Sequence, residues 1–379
     1  MPFKDLSLHT ALQENIKLLG YKEPTPIQAQ VIPAAIQGQD LLGIAKTGSG
    51  KTASFVLPML HQLINKDGEN KKTRQPKVLV LVPTRELAIQ VSDVFKSFSK
   101  NLPKPIKSLA VHGGVAINPQ MKSLFGTDIL IATPGRLLDL ENSNAVDLSK
   151  VEVLVLDEAD KILNLGFQEE MQNILKLLPA QRQNMLFSAT LNKKLEDIKK
   201  VLLKEPAVFE VKEQANNTAL INLTGYFVSD EKKGPLLRHL IREKRMKQVL
   251  VFSSSRQRAD KVAAKLNKNG IQADSIHGKK SQSERMDILD KFKANKLRVL
   301  VATDLISRGI DIHELPFVIN YELPRSPKDF VHRVGRTGRA ESEGLAITFV
   351  TREETHHLKV ILKKMKRYMD IEDTADMEL

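Results

Sequence analysis

Val153-Leu154-Val155-Leu156-Asp157-Glu158-Ala159-Asp160 sets an unbroken apolar run directly against three carboxylates. Four aliphatic residues with no polar interruption spell a strand buried on both faces, as in a parallel sheet covered by helices. Ligands of open α/β sheets gather beyond the carboxyl ends of such strands, where these acids fall. Like charges at short range disfavour ionisation, so three acids there call for an electropositive partner. A magnesium ion carrying nucleotide phosphates is one candidate. An acidic helix N-terminus, favoured by the helix dipole, is the other.

Runs of the same kind recur on both sides, separated by stretches of helical spacing. The first series is Asp40–Ala45, Val78–Val82, Ser108–His112, Ile129–Ala132, Val153–Leu156 and Asn184–Phe187. The second is Val249–Phe252, Ala273–Ile276, Val299–Ala302, Phe317–Asn320 and Ala346–Val350. Strands alternating with helices imply right-handed crossovers and mostly parallel sheets, hence two tandem α/β domains of similar kind. The expected division is residues 1–208, a polar linker at 209–219, a second domain at 220–365 and an acidic, frayed tail at 366–379. Lys66–Arg74 reads as a charged surface loop.

Composition narrows the class. Without cysteine there are no disulfides or thiolate metal sites, and no apolar stretch reaches the ~20 residues that cross a bilayer. Met1-Pro2-Phe3-Lys4 does not open a signal peptide, so a cytoplasmic location is expected. The net charge of +13 favours a polyanionic partner over a merely solvated basic surface. Up to residue 210 there are 26 Lys+Arg against 22 Asp+Glu, and beyond it 32 against 23, so the halves carry +4 and +9. Aromatics at 5% and no tryptophan argue against rows of base-stacking platforms and for backbone-directed, sequence-tolerant contact.

The residues just past each apolar run are more telling than the runs. Ala45-Lys46-Thr47-Gly48-Ser49-Gly50-Lys51-Thr52 is a phosphate loop with Ala45 in place of its first glycine. Gly48 and Gly50 let backbone amides turn inward; Lys51 suits the β- and γ-phosphates, and the Thr52 hydroxyl suits Mg²⁺. Asp157 then becomes the second magnesium residue, Glu158 the general base for an attacking water, and Asp160 a tie to Ser188 or Thr190. Those two hydroxyls also read as plain strand-end caps. Pro83-Thr84-Arg85-Glu86, Thr133-Pro134-Gly135-Arg136, Ser253-Ser254-Ser255-Arg256 and Thr303-Asp304 occupy the same position after other strands. Ordinary loops do not need such clusters, whereas a shared ligand cleft does.

Two further segments complete the set. In Tyr21–Gln28 the Gln28 amide matches the N7 and N6 edge of adenine, with Tyr21 or Phe3 to stack on the base; the same residues read as a helix entry with Gln28 solvated. In His332-Arg333-Val334-Gly335-Arg336-Thr337-Gly338-Arg339, Arg336 and Arg339 are placed as arginine fingers.

This ordered series resembles the DEAD-box RNA helicases of superfamily 2, of bacterial type, over about residues 3–365. The resemblance implies two RecA-like domains and an ATP- and Mg²⁺-dependent RNA helicase that separates short duplexes and remodels RNA or its protein complexes. Its catalytic residues would be Glu158, Lys51, Arg336 and Arg339. Nucleotide would meet Tyr21, Gln28, Thr47, Gly48, Ser49, Gly50, Lys51, Thr52, Asp157, Gly309 and Asp311. RNA of little sequence preference would meet Thr84, Arg85, Gly114, Thr133, Gly135 and Arg136 in one domain, and Arg256, Gly278, Gln282 and Thr303 in the other. Asp160, Ser188, Thr190 and His332 would couple the two events. Ribosomal or RNA-decay proteins are the partners such a helicase would have. Leu305-Ile306-Ser307 and Glu322 depart mildly from the family pattern, where small residues and aspartate are common. A DNA translocase, an ATP-gated RNA clamp and, more remotely, a P-loop kinase share parts of this set. Tyr21–Gln28 and Asp160 favour RNA over DNA.

Overall fold

The structure, a computed structural model, describes residues 2–46, 48–66, 73–191, 193–211, 221–304, 315–338, 344–375 and 377, and for 193, 194, 282 and 328 the backbone alone. Two units divide the chain, Met1–Lys212 and Glu213–Leu379.

In the first unit the strands are β1 (Leu41–Ile44), β2 (Val78–Leu81), β3 (Ser108–Val111), β4 (Ile129–Ala132), β5 (Val153–Leu156), β6 (Gln183–Ser188) and β7 (Ala207–Glu210). All pair in parallel, in the order β3-β4-β2-β5-β6-β1-β7. Around them run α1 (Thr10–Leu18), α2 (Pro26–Ile36), α3 (Lys51–Asn65), α4 (Arg85–Phe98), α5 (Ile117–Ser123), α6 (Pro134–Asn142), α7 (Ala159–Asn164), α8 (Gln168–Leu177) and α9 (Lys193–Leu202). The period of two sorts β5 between two cores: Val153 and Val155 pack with α3 and α4 residues, Leu154 and Leu156 with α6 to α8. Each such side chain contributes about 1.5–3 kcal/mol of burial.

The second unit repeats the plan with β8 (Ile221–Phe227), β9 (Val249–Ser253), β10 (Ala273–Ile276), β11 (Val299–Thr303), β12 (Phe317–Asn320), β13 (Gly344–Val350) and β14 (Asp370–Asp373). Its order is β10-β11-β9-β12-β13-β8-β14, again parallel throughout. Counted from its own first strand, each sheet reads 3-4-2-5-6-1-7. The helices are α10 (Lys233–Glu243), α11 (Arg256–Lys268), α12 (Gln282–Lys293), α13 (Pro327–Val334) and α14 (Thr355–Met365).

Two segments depart from the sequence reading. Phe209 and Glu210 belong to β7, paired with Gly43 and Ile44, so the first sheet continues into the residues expected as linker. Asp370–Asp373 is an edge strand on β8, not a frayed tail. Backbone pairing holds it, and its exposed acids suit an edge that must not recruit further strands. Residues 212–220, the rest of the expected linker, lie outside the described residues.

Candidate active site

Strand β1 delivers the chain into the phosphate loop, where Ala45 N donates to Ser188 O of β6 at 3.0 Å. Gly50 caps α3 at φ 93°, and a Cβ there would fall 2.5 Å from Gln28 Nε2. Both the left-handed backbone and the close approach require glycine. Lys51 then opens α3 at only 6% exposure, its ammonium donating to Ala45 O. Burial lowers its pKa, while Asp157, Glu158 and Asp160 pull the other way. The Ser49 hydroxyl in the same loop is buried, with no hydrogen-bond partner among the described residues.

At the end of β5, burial and the adjoining Glu158 push the Asp157 carboxyl up to about 6. Glu158 sits at φ 53°, in the left-handed region, at a cost of roughly 1 kcal/mol for a non-glycine residue. Its carboxylate receives Lys161 Nζ at 2.7 Å on each oxygen. Asp160 accepts from Thr190 Oγ1 at 2.8 Å, and Ser188 Oγ donates to Thr190 O at 2.8 Å, which stitches the ends of β5 and β6 together.

Gln28 is buried at the start of α2, two residues after Pro26 at the first helical position. Its Oε1 accepts from Thr25 N at 2.9 Å and its Nε2 donates to Gly50 O at 3.1 Å. The segment is thus a helix entry, but Gln28 braces the phosphate loop instead of facing water. Tyr21 remains 42% exposed beside Phe3 and Phe98, whereas Phe3 is part of the core.

On the neighbouring strand ends, Thr84 caps α4 by accepting from Leu87 N at 3.3 Å. The Arg85 guanidinium occupies the space a side chain at Gly114 would need: a Cβ there would lie 1.7 Å from Nη1. Thr133 takes the N-cap position of α6 without a capping bond from its side chain, and Gly135 opens onto empty space. Arg136, 9% exposed, is committed to Val115 O at 3.0 Å and Asp139 at 3.3 Å.

In the second unit Ser255 caps α11 through Arg258 N at 3.2 Å, which leaves Arg256 exposed on the first turn. Gly278 has open space around it, Thr303 ends β11, and α12 begins at Gln282. Sequence reasoning assigned Arg333 no role, yet it is one of the largest fully buried side chains. It grips both oxygens of Asp304 at 2.6 and 2.8 Å, donates to Glu322 O at 2.6 Å and stacks over Phe252 at 5.1 Å. Three residues on, Arg336 is 7% exposed, and His332 lies partly buried on α13. Thr47, Gly309, Asp311, Arg339 and the Gln282 side chain fall outside the described residues.

Two family models match this chain, the DEAD/DEAH box helicase model over residues 25–198 and the helicase conserved C-terminal domain over 232–341. ATP-dependent RNA helicase CshA of Listeria monocytogenes is 39% identical over 97% of this chain and 69% of that protein. The chain belongs to the DEAD-box ATP-dependent RNA helicases. The CshA of Bacillus subtilis is 38% identical over 97% of this helicase and 73% of its own length. Among solved structures, a DEAD box protein from Methanococcus jannaschii shares 36% identity over 98% and 99% of the two chains, with a TM-score of 0.56. Yeast Dbp5 bound to RNA and ADP BeF3 shares 27% identity over 99% and 96%, with a TM-score of 0.84. The two parallel sheets are accordingly RecA-like domains, and this helicase uses a nucleotide and RNA.

Proposed function

We propose that ATP binds beyond β1, with adenine at Tyr21 and Gln28 and its phosphates in residues 45–52, and that its hydrolysis drives local RNA duplex separation and release. The observation that carries this reading is the buried Lys51 after β1, near enough to Asp157, Glu158 and Asp160 after β5, two strands away, for all three to favour its charge. A hard cation fits there: Thr52 and Asp157 offer oxygen donors, and Asp157 is buried beside another acid. Among the described residues no group of three or more His, Cys, Asp or Glu could hold a metal unaided, so the ion would share the phosphates. Magnesium, when bound, neutralises phosphate charge. Glu158 deprotonates the attacking water once Lys161 releases it, and Lys51, Arg336 and Arg339 stabilise the charge on the γ-phosphate. Asp160, Ser188, Thr190 and His332 couple turnover to RNA, with Gly309 and Asp311 at the nucleotide.

RNA backbone meets Thr84, Arg85, Gly114, Thr133 and Gly135 on one domain and Arg256, Gly278, Gln282 and Thr303 on the other. Arg136 supports this surface by holding the Val115 loop. The helicase works in the cytoplasm, on RNA shared with ribosomal or RNA-decay proteins. Two measurements test the reading. ATPase stimulated by RNA but not by DNA of the same sequence separates it from a DNA translocase, because only RNA displays the 2′-hydroxyl. ATP-dependent retention of a short duplex without displacement would instead make the protein a clamp. In Arg339→Ala, kcat should fall by about 10³-fold with little change in nucleotide affinity; equal losses in both would remove the finger role.

A further inference from the structure

Two residues beyond β12, Glu322 turns its carboxylate back to the loop after β9. Oε2 accepts from both Ser254 N at 2.7 Å and Ser254 Oγ at 2.8 Å, while Oε1 accepts from Arg258 Nε at 3.1 Å. Arg258 is held from its other side by Asp230 at 3.1 Å, and Lys233 closes the chain on Asp230 at 2.7 Å. At 13% side-chain exposure and with three donors already on it, this carboxylate is committed to the protein. That matters because a bare acid beside a phosphate backbone would repel it.

We propose that Glu322 is a positioning residue for RNA: it fixes the Ser254–Arg256 turn so that Arg256 and the turn's backbone meet a phosphate. This rests on the reading of Arg256 as an RNA contact. Glutamate reaches one methylene further than the aspartate common in the family. Here that reach lets one oxygen hold the turn while the other holds Arg258. The link from Glu322 to Arg333 runs through the backbone carbonyl, so it survives any side-chain change. Removing the carboxylate should therefore loosen the RNA-side turn and leave the Arg333–Asp304 pair in place.

The test is steady-state ATPase titrated separately with ATP and with a single-stranded RNA oligonucleotide. In Glu322→Ala the RNA KM should rise about tenfold, the range of one lost charge-assisted contact. At saturating RNA, kcat and the ATP KM should stay within about twofold, and Glu322→Asp, which keeps the charge but falls one methylene short of holding both the turn and Arg258, should recover only part of the loss. A general loss of packing would instead lower kcat and the melting temperature together. Should Glu322→Ala fail to fold, Glu322→Gln keeps the shape and an acceptor for Ser254, and should show the same split at about threefold. An unchanged RNA KM in Glu322→Ala or Glu322→Gln, alongside a raised one in Arg256→Ala, overturns the positioning role and leaves the RNA contact standing. An unchanged RNA KM in Arg256→Ala overturns both. A fall in kcat with RNA KM unchanged also overturns it.

Discussion

The two sheets share one strand order, yet the ends of corresponding strands are occupied differently. After the first strand of each sheet comes a helix that begins with a buried lysine: Lys51 on α3 and Lys233 on α10. Lys51 reaches its position through a glycine-rich loop and bonds a backbone carbonyl. Lys233 bonds Asp230 of its own loop at 2.7 Å, with Glu354 at 3.9 Å. On the proposed reading one loop leaves its ammonium to a phosphate, while the other supplies a carboxylate in that place. Two residues past the fifth strand, the same divergence recurs. Glu158 is held in a strained backbone by a lysine of its own helix, whereas Glu322 crosses to the loop after the second strand. A sheet of this topology is therefore a frame, and its ligand is set by which strand-end charges the protein itself leaves uncompensated.

Exchanging the two glutamates for glutamine is the strongest way to break that comparison. Glu158→Gln should cut kcat by about 10³-fold, the middle of the range for a lost general base, with ATP and RNA binding retained. Glu322→Gln should leave kcat within about twofold. If both variants lost turnover alike, the two strand ends would be doing the same chemistry. The lysines give the next largest effect. Lys233→Ala leaves Asp230 with Arg258 as its one cation among the described residues and empties a buried stem, so about 1–3 kcal/mol of stability should be lost, most of it from the stem. For a unit of this size that is a melting shift of roughly 2–12 °C, at unchanged ATP KM. Lys51→Ala should do the reverse. Its ammonium is destabilised by burial, so calorimetry should show no loss of stability while ATP binding collapses.

How much of this the residues announce depends on what holds each element. The strands buried on both faces stand out as aliphatic runs, because nothing but their side chains specifies them. β7, β8 and β14 do not. β7 and β14 are edges, β8 lies one strand in, and part of their surface meets solvent. Three of the four residues of β14 are acidic, and its register on β8 is fixed by backbone hydrogen bonds that leave no mark on residue type. The same division runs through the site. The phosphate loop and the acids after β5 are legible because their chemistry lies in the residues themselves. The partners of Arg136 and Arg333 include the carbonyls of Val115 and Glu322, which any residue could supply. Gln28 stands out in the sequence as an amide placed to read adenine, but its bond to Gly50 O depends on a loop 22 positions away.

A subtler contrast lies after the third strand of each sheet, where His112-Gly113-Gly114 of the first corresponds to His277-Gly278 of the second. Gly114 is at φ 76° and its missing side chain makes room for the Arg85 guanidinium. Alanine there must adopt a left-handed backbone at a cost of about 1 kcal/mol and also push Arg85 aside. Gly114→Ala should therefore melt a few degrees lower, about 2–5 °C, and raise the RNA KM several-fold through Arg85. Gly278 has nothing within 4 Å, so the folded domain accepts a methyl group freely and Gly278→Ala should leave the melting temperature unchanged. The pair separates two reasons for glycine that look identical in sequence. If Gly278→Ala raises the RNA KM at constant stability, the space it fills belongs to the RNA. If it lowers the melting temperature as much as Gly114→Ala, the openness around Gly278 is wrong, and with it the placing of an RNA contact there.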